Sequence, residues 1–523
     1  MKSQFAVLDW IVVGLYLAIM ITGGWIFSRR KTENAHDYFL AGGTVPAWLA
    51  AISVLSATQS AATFLGGPDY GYRGDYTYLS GNLGGLLGAM FVARMLIPRF
   101  YAMGATTVYE LLGQRFDRRA MRWAGGMFLV GRVLAGGARV FLAAVAIAMV
   151  MFASVSAQGI ILAAAGLMVA SFLFTFVGGL RSVLWNDLIQ FAIYFAAAIA
   201  ILLFLWLSIP ASTADIIHGL AHTPEGIDKL RIVNLTMDTT QPFSLLAIVT
   251  GVFLLYVANS GMDQDTTQRL LACGDAKTGA RGLYLSVLAT VPVVAVFVTI
   301  GLLLYVFYNR PDLMGHAVAG TAGHFAGQKI SVFMYYILTQ IPPGLRGLVT
   351  VGVTAAAVAT TNSALNAMSS VLVQDFYRPW LDARGGASEH HYVRAGRLGM
   401  GLVAVAMFAM AALSFYWQRY ADTPLLEFAL QVMVFAYAGL LGVYFVAIFS
   451  TRGSSNSVVA ALVAGFVTVL LIQPAIVDAL GLPGLLRRLS FPYQLCIGTF
   501  VATFVCAVPK GTHKPIAALP FAS

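Results

Sequence analysis

Apolar residues along this chain neither alternate nor recur on one helical face. They run on for the better part of twenty residues at a time, and thirteen such runs alternate with short polar segments. A helix needs about 20 mostly apolar residues to cross the hydrocarbon of a bilayer, so each run predicts a spanning helix. The runs are 8–27, 46–69, 76–101, 121–153, 157–179, 183–208, 243–262, 280–307, 344–375, 397–417, 425–449, 455–478 and 490–508. A further apolar stretch, 331–341, ends at Pro342-Pro343 and is too short to span, which predicts a short outer helix.

Some runs break the pattern with polar residues at depth. The second contains Ser56-Ala57-Thr58-Gln59-Ser60-Ala61-Ala62-Thr63 and then Gly66-Gly67-Pro68. That combination predicts a discontinuous helix, with the triplet as the breaker. Freed carbonyls there can meet a cation and freed N–H groups a solute. The competing account is that each hydroxyl bonds back to its own helix. The seventh run ends in Asn259-Ser260-Gly261-Met262-Asp263-Gln264-Asp265, a second interruption five spans after the first. Broken helices at matching places in two five-span halves mark an inverted-repeat transporter. The ninth run carries Thr360, Asn362, Ser363 and Asn366 among small residues. They are either oxygens for a weakly held monovalent cation or a small-residue packing seam.

Ionisable residues inside runs are functional candidates by default. Asp187, a turn into the sixth run, is such a candidate or a stabilising anion near a helix N-terminus. Arg132 and Arg139 lie in the fourth run. Either can snorkel. Arg132 is deeper, and a guanidinium there can meet an anionic solute group as a fork.

Composition narrows the class. Of 523 residues, 59% are hydrophobic and 10% charged, against about 25% charged in soluble domains. The net charge of +10 is not gathered into a nucleic-acid stripe. Nineteen of the 32 Lys and Arg fall in alternate inter-span segments if the N-terminus is outside, and ten in the others. This bias predicts an N-out, C-in chain in the inner (plasma) membrane. The first run is read as a retained helix rather than a signal peptide. Three cysteines make no disulfide framework. His218 and His222 lie at i, i+4 in the outer segment 209–242, where a solvated helix explains them better than a metal. There is no phosphate-binding loop and no His-Glu-x-x-His pair, so neither nucleotide-driven transport nor an intramembrane metalloenzyme is expected.

Several segments together resemble the sodium:solute symporter family. They are Asp37-Tyr38-Phe39-Leu40-Ala41-Gly42-Gly43, Gly178-Gly179-Leu180, Trp185-Asn186-Asp187-Leu188-Ile189-Gln190, Asp263-Gln264 with Gln268-Arg269, and Asn366 through Asp375-Phe376-Tyr377. The resemblance implies an all-α membrane protein with a LeuT-like core of two inverted five-helix repeats. One leading helix (1–45) would precede the core (46–450), and two helices (451–523) would follow it.

The resemblance also implies a sodium site made by the carbonyls of Ser56, Gln59 and Ala356 and the Thr360 hydroxyl. Ala359 stands where many members have a second hydroxyl. Some members hold a second sodium, and Asp187, Asn362 and Ser363 occupy its positions. The second run looks most like the bacterial sialic acid branch. That likeness implies solute contacts from Thr58, Ser60, Thr63, Tyr78, Asn82, Arg132 and Gln264, with Arg132 on the carboxylate. Asn82 and Tyr78 replace that branch's glutamine and phenylalanine.

The implied function is sodium-coupled import by alternating access. The solute would be a sugar, a sugar acid such as sialic acid, or another small carboxylate. The alternatives are a proline-like amino-acid symporter and, further off, a passive channel. No enzymatic activity is expected.

Overall fold

The computed structural model describes residues 5–28, 34–152, 156–176, 179–317, 324–325, 328–329, 331–418 and 425–509. Among them lie eight helices long and apolar enough to cross a bilayer, three bent pairs that qualify when joined, and two shorter apolar helices. These are thirteen segments, at the places the apolar runs predict.

In chain order the elements are α1 (Val7–Ser28), the bent pair α2 (Ala47–Thr58) and α3 (Ala61–Arg73), α4 (Thr77–Met103), α5 (Arg118–Phe152), α6 (Ala157–Phe176) and α7 (Gly179–Leu207). Next come the bent pair α8 (Leu245–Gly261) and α9 (Gln264–Leu271), α10 (Ala276–Asn309) and α11 (Leu345–Asp382). The last are α12 (Glu389–Gln418), α13 (Leu425–Phe449), the bent pair α14 (Ser455–Leu471) and α15 (Pro474–Leu480), and α16 (Phe491–Ala507). The short helix expected before Pro342-Pro343 is Val332–Thr339.

The breaks position the site. α2 and α3 meet at 68°, and α8 and α9 at 55°. The first break is at Gln59-Ser60, where both residues are extended (φ −78°, ψ 116° and φ −120°, ψ 174°). The expected breaker is elsewhere: Gly66-Gly67-Pro68 lies inside α3. Proline removes one N–H and clashes with the preceding turn, and α3 absorbs this without ending. The glycines serve packing instead. Gly71 of α3 and Gly301 of α10 lie back to back, and a Cβ on Gly301 would run into the Pro68 carbonyl. The sixth span begins at Gly179 rather than Val183, which puts Asp187 more than two turns inside it. That depth weakens the helix-terminus account of the acid, since dipole effects fade within the first turn.

α11 is buried along most of its length against α7, α5, α2 and α9. The segment 209–242 is fastened to the end of α3. Lys229 Nζ donates to the Tyr72 and Gly74 carbonyls at 2.8 Å each, and Arg231 pairs with Asp75 at 2.6 Å. Its histidines stack with centroids 4.6 Å apart, and no group of three metal-ligating side chains occurs among the described residues.

Candidate functional site

A cavity of about 120 Å³ lies at the first break. Five of the seven residues expected to contact solute line it: Thr58, Ser60, Thr63, Tyr78 and Asn82. Asn259 and Ser260, from the turn before the second break, and Thr290 of α10 add further polar groups. Tyr256, Phe243 and Phe491 supply aromatic faces. Two buried acceptors here have no hydrogen-bond partner, Gln59 Oε1 and Asn82 Oδ1. The Asn82 amide nitrogen is already committed to the Leu79 carbonyl at 2.8 Å.

The cationic group of the cavity is Arg139 rather than Arg132. Among the described residues Arg139 has no carboxylate partner. Its Nη2 rests on Met433 Sδ at 3.0 Å, and its Nε is buried without an acceptor. Arg132 sits two turns earlier on α5, and its charge is already matched. It pairs with Asp263 at 3.2 Å and, in closer contact, with Asp265. Arg132 is 5% exposed and does not line the cavity. These ion pairs tie α5 to the second break.

Gln264 is also elsewhere. Its Oε1 accepts from the Val108 N–H at 3.0 Å and its Nε2 donates to the Thr106 carbonyl at 2.8 Å. Both ends of the amide are spent on holding the segment after α4 to the start of α9.

The residues expected to hold sodium lie on α2, its break and α11. No hydrogen bond among the described residues reaches the carbonyls of Ser56 or Gln59, as the end of a helix leaves them. On α11 the Thr360 hydroxyl donates to the Ala356 carbonyl at 2.5 Å, so these two oxygens are adjacent. The hydroxyl oxygen keeps lone pairs to offer a cation. Thr361 and Ser363 likewise bond back to Ala357 and Ala359 at 2.7 Å. Back-bonding, the bland account of this seam, thus operates at every one of its described helix hydroxyls from Thr360 to Ser363. Thr360 and Thr361 line a second, smaller cavity together with Arg132 and Arg139.

Asp187, Asn362 and Ser363 are not left open together. Asp187 Oδ2 accepts from Ser53 at 2.5 Å and from Arg269 at 3.2 Å, and Arg269 also contacts the Ser363 hydroxyl. The amide nitrogen of Asn362, oriented to satisfy its neighbours, donates to the Ser171 carbonyl at 3.0 Å and to Thr175 at 3.2 Å.

The comparison with known proteins decides the class. The sodium:solute symporter family profile matches residues 38–465. The chain belongs to the sodium:solute symporter family. It is 26% identical over 97% of its length to the sodium/sialic acid symporter NanT of Aliivibrio fischeri, covering 93% of that protein. It is 25% identical to the sodium/sialic acid symporter SiaT of Proteus mirabilis, over 89% of this chain and 90% of that one. In fold it resembles the substrate-bound outward-open state of a Na+-coupled sialic acid symporter, with a TM-score of 0.79 at 22% identity, covering 98% of this chain and all of that one. This symporter is therefore a multi-pass membrane protein with the inverted-repeat, LeuT-like architecture. It couples sodium to the movement of a small polar solute.

Proposed function

We propose that this symporter imports an anionic sugar acid of the sialic acid type, with the carboxylate held by Arg139. The observation that carries the reading is a guanidinium with no carboxylate partner among the described residues, facing a polar cavity in the bundle interior. A buried charge without a counter-charge is costly. It is retained where a ligand supplies the counter-charge, and a guanidinium matches a carboxylate as a two-pronged fork. Gln59 Oε1 and Asn82 Oδ1, both lacking donors, would accept from solute hydroxyls. Ser60, Thr63 and Thr58 can donate or accept, and Tyr78, Tyr256 and Phe243 offer faces to a ring.

Sodium would bind at the Ser56 and Gln59 carbonyls with Ala356 and Thr360. Gln59 belongs to both sites, since it lines the cavity and sits in the break. Ion and solute would thus fix the same two-residue hinge, and each lowers the entropic cost of binding the other. Closure of the outer path and opening of the inner one would follow from their joint preference for one arrangement of the broken helices. The N-terminus would be outside, the C-terminus in the cytoplasm and the bundle in the lipid bilayer of the plasma membrane. The chain would act by transport alone, without catalysis.

The test is uptake of N-acetylneuraminic acid by the purified chain in proteoliposomes under an inward sodium gradient. The reading expects accumulation above the outside concentration that collapses when the gradient is removed. Equal uptake with choline in place of sodium, or no uptake of any sugar acid, would sink it.

A further inference from the structure

We infer that Arg269 is a tethered cation occupying the place of a second sodium, so that this symporter binds one sodium per chain. The inference rests on the sodium-coupled reading above and concerns its stoichiometry.

Arg269 lies on α9, just past the second break, and is fully buried. Each of its three nitrogens is engaged. Nε donates to the Ser53 hydroxyl at 2.7 Å. Nη1 donates to Asp265 Oδ1 at 2.8 Å and also contacts the Asp265 carbonyl. Nη2 reaches Asp187 Oδ2 at 3.2 Å and the Ser363 hydroxyl. A guanidinium stays charged throughout the accessible pH range and carries five donors in a fixed fork. It therefore supplies at this point what a sodium ion would: one positive charge and several contacts to oxygen.

Several of the oxygens a second sodium would need are already engaged. Ser363 gives its proton to the Ala359 carbonyl at 2.7 Å and its lone pair to Arg269. Asp187 Oδ2 is shared by Ser53 and Arg269, leaving Oδ1 alone without a partner. The side chain at 359 is a methyl and offers no oxygen. A hard cation placed on the few oxygens left here, a few ångströms from a fixed guanidinium, is under-coordinated and repelled. At the first site the Ser56 and Gln59 carbonyls accept no hydrogen bond among the described residues.

Equilibrium binding of radiolabelled sodium to the purified full-length chain in nanodiscs, without solute, tests this. Wild type is expected to bind one sodium per chain. Arg269→Ala leaves Asp187 without its cation and is expected to bind two. Asp187→Asn is expected to keep one, and Thr360→Ala to bind it at least severalfold more weakly. Two sodium ions per wild-type chain would overturn the proposal and leave sodium coupling standing. A single wild-type sodium that disappears in Asp187→Asn would do the same. No sodium bound by wild type would overturn both this proposal and the reading beneath it. Should Arg269→Ala fail to fold, the wild-type and Asp187→Asn counts decide alone.

Discussion

Two polar regions share the interior of this bundle, and they differ in how far their charges are met. On the side of the second break, Arg132 and Arg269 are laced to Asp187, Asp263 and Asp265, and the Tyr437 hydroxyl donates to Asp263 at 2.5 Å. At the first break, Arg139 and the acceptors of Gln59 and Asn82 face a cavity with nothing to bind. Arg132 and Arg139 are seven residues apart on α5, two helical turns on one face. Both are arginines inside one membrane helix, Arg132 buried and Arg139 half-buried. What separates them is whether the surrounding chain already supplies the counter-charge. A saturated network holds helices together, whereas an unsaturated one is a site.

The sharpest way to break this comparison is to remove each arginine in turn. Arg132→Ala strands Asp263 in the interior without a cation and leaves Asp265 with Arg269 alone. Cutting one partner from a buried ion pair costs about 3–5 kcal/mol, so little folded protein should survive detergent extraction and size-exclusion chromatography. Arg139→Gln removes no protein counter-ion and should fold. It should raise the solute concentration for half-maximal uptake at least tenfold, since a hydrogen bond to a charged group is worth about 1.5–3 kcal/mol. A well-folded Arg132→Ala with weakened solute binding would reverse the two roles.

Much of the architecture was legible beforehand. A spanning helix announces itself in one dimension, because lipid rewards the same side-chain chemistry all around it. The thirteen runs and both interruptions follow from that. The exact site of the first break did not. Gly66-Gly67-Pro68 is the stronger local breaker, yet the chain bends at Gln59-Ser60. There a helix end can leave carbonyls for an ion, while Pro68 and its neighbouring glycines are stabilised inside α3 by packing against α10. Among candidate residues, the hydroxyls and Asn82 were legible because they cluster along two adjacent segments. The roles of Arg132 and Arg139 were not, because the acids that claim Arg132 lie about 130 residues away on another helix. Depth in a run says that a charge is buried, and only the fold says with whom.

Smaller effects sharpen the unsaturated side. Thr360→Ala removes one expected sodium oxygen while leaving the Ala356 carbonyl. It should raise the sodium concentration for half-maximal uptake severalfold with solute affinity at saturating sodium unchanged. Asn82→Ala removes one neutral acceptor from the cavity. At about 1 kcal/mol for such a hydrogen bond, solute binding should weaken roughly fivefold and sodium dependence should not move. A sodium effect from Asn82→Ala larger than that from Thr360→Ala would mean that the two sites have been drawn in the wrong places.

The central claim is that the unpaired Arg139, and not Arg132, meets the solute's negative charge. A cycle between protein charge and solute charge addresses it most directly. Binding of N-acetylneuraminic acid and of its neutral methyl ester is measured at saturating sodium, for wild type and for Arg139→Gln. Esterification should cost wild type at least tenfold in affinity and cost Arg139→Gln almost nothing, because the charge it removes no longer has a partner. An equal ester penalty in both proteins would contradict the account.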